Sequence, residues 1–237
     1  MPATLRRGSR GTDVRRLQQL LNTRLQPSPN LQTDGEFGAR TESAVRLYQS
    51  SVGLGIDGVA GPRTWAALQE GNIANPADGA PIPASYPDAP WMNIAMREIG
   101  QREIRGARHN PRIIAYHATT RLRASSDETP WCASFVNWCL LQAGIIGTNS
   151  AAAASWVHWG QGVGARAGAI AVIYNAAAAR SSLTVSGNHV GFLVQATQNH
   201  FILLGGNQSN QVKISSYPKT SWQNRGFRWP SRQPGGV

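Results

Sequence analysis

Along the first seventy residues, apolar positions recur at helical spacing. After Thr12, a residue suited to capping a helix start, Val14, Leu17, Leu20 and Leu21 fall on one stripe. A second segment carries Ala44, Val45 and Tyr48, and a third Trp65 and Leu68. The pattern predicts three short helices in a domain of about seventy residues, near the lower size limit for burying a core of its own. Residues 76 to 90, "PADGAPIPASYPDAP", then place five prolines in fifteen positions with no hydrophobic period, as a semi-rigid linker does. The expected division is a helical domain over 1–73, a linker over 74–90 and a second domain over 91–237. That second part opens with helical segments at "WMNIAMREIGQ", "NPRIIAYH", "DETPWCASFVNWCL" and "AASWVHWG". From Gly168 it changes to short apolar runs broken by glycine and asparagine: "GAIAVIY", "HVGFLVQA", "FILLGGNQ", "QVKISSY" and "GFRW". Helices followed by sequential strands predict an α+β domain with an antiparallel sheet.

The helical part contains a repeat. "DGEFGARTESAV" from Asp34 and "DGVAGPRTWAAL" from Asp57 share the pattern D-G-x-x-G-x-R-T-x-x-A-apolar. Each copy reads as a glycine-rich turn entering a helix, with Pro62 suited to a first helical turn and the aspartates and glycines acting as turn formers. Through "GTDVRRLQQLLN", "TDGEFGARTESAVRLYQ" and "GLGIDGVAGPRTWAAL", about residues 5 to 70 resemble the peptidoglycan-binding domain type 1 family. The resemblance implies binding to the bacterial cell wall.

Charge narrows the chemistry. The chain of 237 residues has a formal net charge of +11, from 21 arginines and two lysines against 12 acids, which favours a polyanionic partner: nucleic acid, anionic lipid or cell-wall polymer. The arginines are scattered and no nucleic-acid-binding fold is recognisable, so nucleic acid is not the expected partner. No Asp or Glu follows Glu128. Any catalytic role in residues 129–237 must therefore be filled without a carboxylate. The start, "MPATLRRGSRGTDVRRL", lacks the apolar core and cleavage site of an export signal, and no run approaches the length of a membrane span. The expectation is a monomer made in the bacterial cytoplasm that acts on the wall after release.

The two cysteines lie seven residues apart on a predicted helix, about 10 Å along its axis, beyond disulfide reach. Phe135, Val136, Cys139 and Leu140 suit a buried face and Gly144 a helix stop. Cys139 is therefore expected in the core. Cys132 falls in the first turn, where helix amides favour a thiolate, and is the candidate nucleophile. A thiol nucleophile wants a histidine and a group to orient it. His109, His117, His158 and His200 suit structural or turn positions, whereas His189 opens a strand in "SGNHVGFLV". A hairpin centred on Gln198 would pair His189 with Asn207, Gly191 with Gly205 and Leu193 with Leu203, and on the other face Phe192 with Leu204 and Val194 with Ile202. Opposed residues have Cβ atoms about 5 Å apart, which lets an Asn207 amide orient the imidazole. Cys132, His189 and Asn207 form a set competent for acyl transfer, in which imidazole and thiolate can pair as ions.

Over about residues 91 to 220, through "PWCASFVNWCL", "GAIAVIY", "GNHVGFLV" and "GGNQSNQV", the chain resembles the papain-like cell-wall hydrolases of the CHAP (cysteine, histidine-dependent amidohydrolase/peptidase) group. The resemblance implies a papain-like fold, Cys132 as nucleophile, His189 as general base and acid, Asn207 as orienting residue, and hydrolysis of a cell-wall amide with no cofactor and no metal. Trp131 stands where many members have glutamine, and Asn207 where an acid is frequent. The Cys132 N–H, with a second donor near Thr129, is the expected oxyanion hole. The domain order resembles a phage endolysin, with a bacterial antibacterial effector or an autolysin as alternatives. Competing readings are a zinc amidase built from His189, His200 and Cys132, a muramidase using Glu98 as acid, and a wall- or nucleic-acid-binding protein without catalysis.

Overall fold

The helical repeat owes its shape to two buried glutamines. The computed structural model describes residues 2–25, 28–52, 54–70, 86–106, 108–181 and 183–231. Helices α1 (Thr12–Arg24), α2 (Ala39–Ser51) and α3 (Pro62–Glu70) bury Val14, Leu17, Leu21, Ala44, Val45, Tyr48, Trp65 and Leu68. Gln18 Nε2 donates to Asp34 Oδ1 at 2.8 Å and the Glu36 carbonyl at 3.0 Å, while its Oε1 accepts from Gly35 N–H at 3.0 Å. One repeat later Gln49 Nε2 donates to Asp57 Oδ1 at 2.7 Å and the Val59 carbonyl at 2.9 Å, and its Oε1 accepts from Gly58 N–H at 2.9 Å. In each copy the aspartate also accepts from the N–H two residues on. The Asp-Gly pairs are thus turn formers, locked from the preceding helix by an amide that can donate and accept at once. The helix start differs from expectation. Gly11, at φ 118°, is the N-cap and Thr12 is already helical with no side-chain cap. Only glycine takes that conformation without strain, and it points Gly11 N–H at the Gly35 carbonyl, 2.9 Å away.

The linker expected over 74–90 lies, as far as residue 85, outside the described residues. Tyr86 and Ala89 are buried beside a turn that leads into α4 (Pro90–Arg97). This helix is shorter than its apolar pattern, because Gly100, at φ 101°, turns the chain so that its N–H meets the Val212 carbonyl at 3.0 Å. Helices α5 (Pro111–His117) and α6 (Cys132–Gln142) follow. Residues Ala153–His158, expected as a further helix, form a 3-10 turn.

The strands are β1 (Gln161–Gly162), β2 (Ile170–Tyr174), β3 (Asn188–Ala196), β4 (His200–Gly205), β5 (Lys213–Pro218) and β6 (Gln223–Trp229), paired antiparallel in the order β1-β6-β2-β3-β4-β5. The chain is therefore α+β. One sheet face puts Val172, Val190, Phe192 and Leu204 in the cluster that includes α6; the other gathers Ala171, Ile173, Leu193, Leu203, Tyr217 and Trp222. Burial on both faces explains why the strands read as continuous apolar runs rather than alternating ones. The β3–β4 hairpin pairs Phe192 with Leu204 and Leu193 with Leu203, the predicted register, then bulges so that Gln195 rather than Val194 meets Ile202. The bulge absorbs one residue before the turn, which is closed by Thr197 N–H on the His200 carbonyl.

The helical domain is docked on the sheet domain. Helix α2 packs against edge strand β5, the Ser50 hydroxyl donates to Gln195, Arg7 Nη1 donates to Gln211 Oε1 at 2.6 Å, and one apolar cluster runs from Leu17 and Val45 to Met92, Phe135 and Phe192. No helix among the described residues is long and apolar enough to cross a membrane.

Candidate active site

Helix α6 begins at Cys132, with Trp131 as N-cap and no side-chain cap. Its end is fixed by Gly144 at φ 74°: Gly144 N–H donates to the Leu141 carbonyl and Ile145 N–H to that of Leu140, both at 2.9 Å. The helix start is pinned from two sides. The Trp131 indole N–H donates to Glu103 Oε1 at 2.9 Å and its ring packs 5.8 Å from that of Tyr116. On the other side Gly206 approaches so closely that a Cβ there would lie 2.6 Å from the Trp131 ring and 2.7 Å from Phe135 Cβ. The second glycine of "GGN" thus lets the segment after β4 lie against the first turn of α6.

That arrangement brings Cys132 to the start of β3. The residue is 4 % exposed and its thiol lies against the backbone N–H of Val190, the residue after His189. Burial pushes its pKa up, and the N–H groups of Val190, Ala133 and Cys132 itself only partly offset this. The lowered thiol pKa expected from the helix start is therefore not found; desolvation outweighs the helix amides. Cys139 is fully buried, and burial raises its thiol well above the ordinary value. Both cysteines are free.

His189 alternates with Val190 and so shares the sheet face of Ile173, Leu193 and Tyr217, with its ring 5.4 Å from the Tyr217 ring. Neither of its ring nitrogens has a hydrogen-bond partner of good geometry, and the Gln208 side chain is a polar group close enough to act on the ring. Burial drives its pKa down to about 3, against a smaller opposite effect of the Gln208 side chain. The structure thus brings Cys132 beside the backbone that carries His189 but joins the two side chains by no hydrogen bond, and both are neutral near pH 7. Burial of both groups works against the ion pair foreseen for the resting site. Asn207 is buried two residues past the end of β4, at φ 57°, and its Nδ2 donates to the Leu183 carbonyl at 3.5 Å.

Gln208 and Tyr217 escape a sequence reading. Gln208 Oε1 accepts from the Tyr217 hydroxyl at 2.5 Å, and its Nε2 donates to the Gly205 carbonyl at 3.0 Å and to that of Lys213. Its place directly after Asn207 was the one available signal; nothing in the pattern of β5 marks Tyr217. The Thr129 N–H, foreseen near the oxyanion hole, points to the Ser126 carbonyl at 3.4 Å.

The remaining candidates are engaged elsewhere. Burial raises the Glu98 carboxyl, but hydrogen bonds from Arg112, at 2.8 and 2.6 Å, and from Tyr116, at 2.5 Å, outweigh it and hold the group below its ordinary range. Buried Asp127 accepts from the N–H groups of Ile104 and Asn110 and sits 2.9 Å from His109 Nδ1. His117 Nδ1 lies 3.1 Å from Ser134 Oγ. Among the described residues no three His, Cys, Asp or Glu side chains come together as a metal-binding group. Beside the start of α6 runs a cleft of about 1020 Å³, bordered by Arg7, Arg102, Glu103, Arg105, Pro130 and Asn210.

Comparison with known proteins adds an identity for the helical domain. Residues 10–68 match the family described as "Putative peptidoglycan binding domain". A zinc D-Ala-D-Ala carboxypeptidase of Streptomyces albus G is 44% identical over 67 residues, 28% of this chain and 26% of that protein. An uncharacterized protein of Kitasatospora aureofaciens is 42% identical over 59 residues, 24% of this chain and 48% of that protein. The chain thus spans between a quarter and a half of the length of these relatives. Among solved structures, the endolysin of Burkholderia phage AP3 is 41% identical with a TM-score of 0.28, covering 30% of this chain and 26% of that one. By the family match alone, residues 10–68 are of the "Putative peptidoglycan binding domain" type, and an α+β unit follows them.

Proposed function

We propose that the protein is a modular peptidoglycan hydrolase in which the domain at 10–68 holds a cysteine amidohydrolase of papain-like type on its insoluble substrate. The observation that carries this reading is the place of Cys132, at the first turn of α6 and against the Val190 N–H beside His189, in a chain with a peptidoglycan-binding domain. A relative that shares that domain bears the name of a carboxypeptidase, in keeping with a wall-binding unit joined to an enzyme. Tethering raises the effective concentration of cleavable bonds.

In the proposed reaction Cys132 Sγ attacks the carbonyl carbon of a muramoyl–peptide or stem-peptide amide while its proton passes to a His189 ring nitrogen. Collapse of the tetrahedral adduct expels the amine, which leaves with that proton. Water then attacks the thioester, giving a proton to His189, and the carboxylate departs as the thiol is restored. His189 is neutral in the free protein and so acts as a general base rather than as half of a standing ion pair. Asn207 is proposed to orient the ring, and the Cys132 N–H to meet the oxyanion. An endolysin released to the wall is the context that best suits this domain order.

Digestion of purified sacculi by the wild type and by Cys132→Ala, with mass spectrometry of the fragments, tests the reading. New amine and carboxyl ends from the wild type alone support it, and their position separates amidase from endopeptidase. New reducing sugar ends from both proteins would overturn it.

A further inference from the structure

The helical domain does more than dock: Arg7 reaches into the cleft beside α6. The opposite wall is the loop Gly100–Arg105, fixed to the segment after β4 by Val212 N–H on the Gln101 carbonyl at 2.8 Å and Glu103 N–H on that of Asn210 at 3.0 Å. Pro130, two residues before Cys132, lines the same cleft. Three arginines face this space. Arg102 and Arg105 are exposed and form no ion pair among the described residues. Arg7 is held at the rim by Gln211 and keeps 36% of its side chain exposed, with its carboxylate partner Glu42 at 3.6 Å. Two acids border the cleft, Glu103 and Glu128, and Glu103 already accepts from the Trp131 indole. The balance favours an anionic ligand with at most one ammonium group, the latter opposite Glu128.

We infer that Arg7, Arg102 and Arg105 bind the free carboxylates of a peptide stem, so that the wall-binding domain completes the substrate cleft as well as tethering the enzyme. The inference rests on the hydrolase reading and deepens it, since peptide stems carry several carboxylates whereas the glycan strand has none where its lactoyl groups are in amide linkage to a stem. Guanidinium groups suit carboxylates by their paired donors.

The test uses soluble stem peptides, on which tethering to an insoluble wall has no effect. Their binding to full-length Cys132→Ala is measured by calorimetry, alone and combined with Arg7→Ala, Arg7→Lys, Arg102→Ala or Arg105→Ala, and repeated with peptides whose carboxylates are amidated. The expected result is a Kd about tenfold weaker for each alanine variant, partial rescue by Arg7→Lys, and no difference between variants on the amidated peptides. Equal Kd values across the variants, or equal losses on native and amidated peptides, would overturn the inference. Cleavage assays on the same peptides keep the two ideas apart: wild type that binds stems through the arginines yet cuts no wall amide contradicts the hydrolase reading alone.

Discussion

The His189 imidazole lies 5.4 Å, centroid to centroid, from the Tyr217 ring, whose hydroxyl is held by Gln208 at 2.5 Å. That cover keeps water from the buried ring and makes it hard to charge. The sign of the resulting pH dependence is fixed. The folded pKa of about 3 lies below the ordinary 6.5, so the unfolded chain binds the proton first and stability falls as pH drops from 6.5 towards 3. Burial shifts His117 in the same direction. Urea midpoints should therefore decline between pH 7 and 5. In His189→Gln the slope should shrink by about one proton; an unchanged slope would show that the ring is solvated.

Thiol reactivity should separate the two cysteines. Burial raises both pKa values, but Cys132 keeps 4 % exposure and Cys139 none. Iodoacetamide should label Cys132 slowly, and faster as pH rises, while Cys139 reacts only on unfolding. Peptide mapping that found Cys139 labelled first in the native protein would contradict the packing of α6.

Asn207 allows backbone and amide to be tested apart. At φ 57° glycine is accommodated better than alanine, for which left-handed backbone costs about 1–2 kcal/mol. Asn207→Gly should leave the urea midpoint nearly unchanged while lowering kcat by roughly 10- to 100-fold, the mark of a residue that positions His189. Full activity in Asn207→Gly would remove it from the mechanism. Gln208→Ala, by contrast, strands the Tyr217 hydroxyl and the Gly205 carbonyl and should lose about 1–3 kcal/mol of stability.

The paired glutamines carry the repeat. Replacing Gln18 or Gln49 by alanine leaves a buried glycine N–H short of a partner and takes one donor from the aspartate of the turn, for an expected loss of about 1–3 kcal/mol each. Urea titrations of each variant that matched wild type would show that the turns hold without them.

Much of this was legible because local chemistry and tertiary context agree. The D-G-x-x-G-x-R-T copies, Pro62 at the start of α3, Gly144 at the end of α6 and the hairpin register at Phe192 and Leu193 all express short-range rules. What stayed hidden depends on distant partners. Gly11 caps α1 because the Gly35 carbonyl waits for its N–H, a contact across 24 positions. Helix position favours a Cys132 thiolate, but the opposing burial comes from β3, the Gly206 approach and the aromatic ring around Trp131. Tyr217 reaches His189 through two strand pairings, and docking of α2 on β5 leaves no periodic trace in either segment.

The central claim is that Cys132 itself forms the bond to the wall. Acid-quenched single-turnover digestion of soluble wall fragments, followed by peptide mapping, reads this directly. The account predicts an acyl adduct on the Cys132 peptide that decays as product forms, and none in Cys132→Ala, whose turnover falls by at least about 10³-fold. Hydrolysis at the wild-type rate by Cys132→Ala would contradict it.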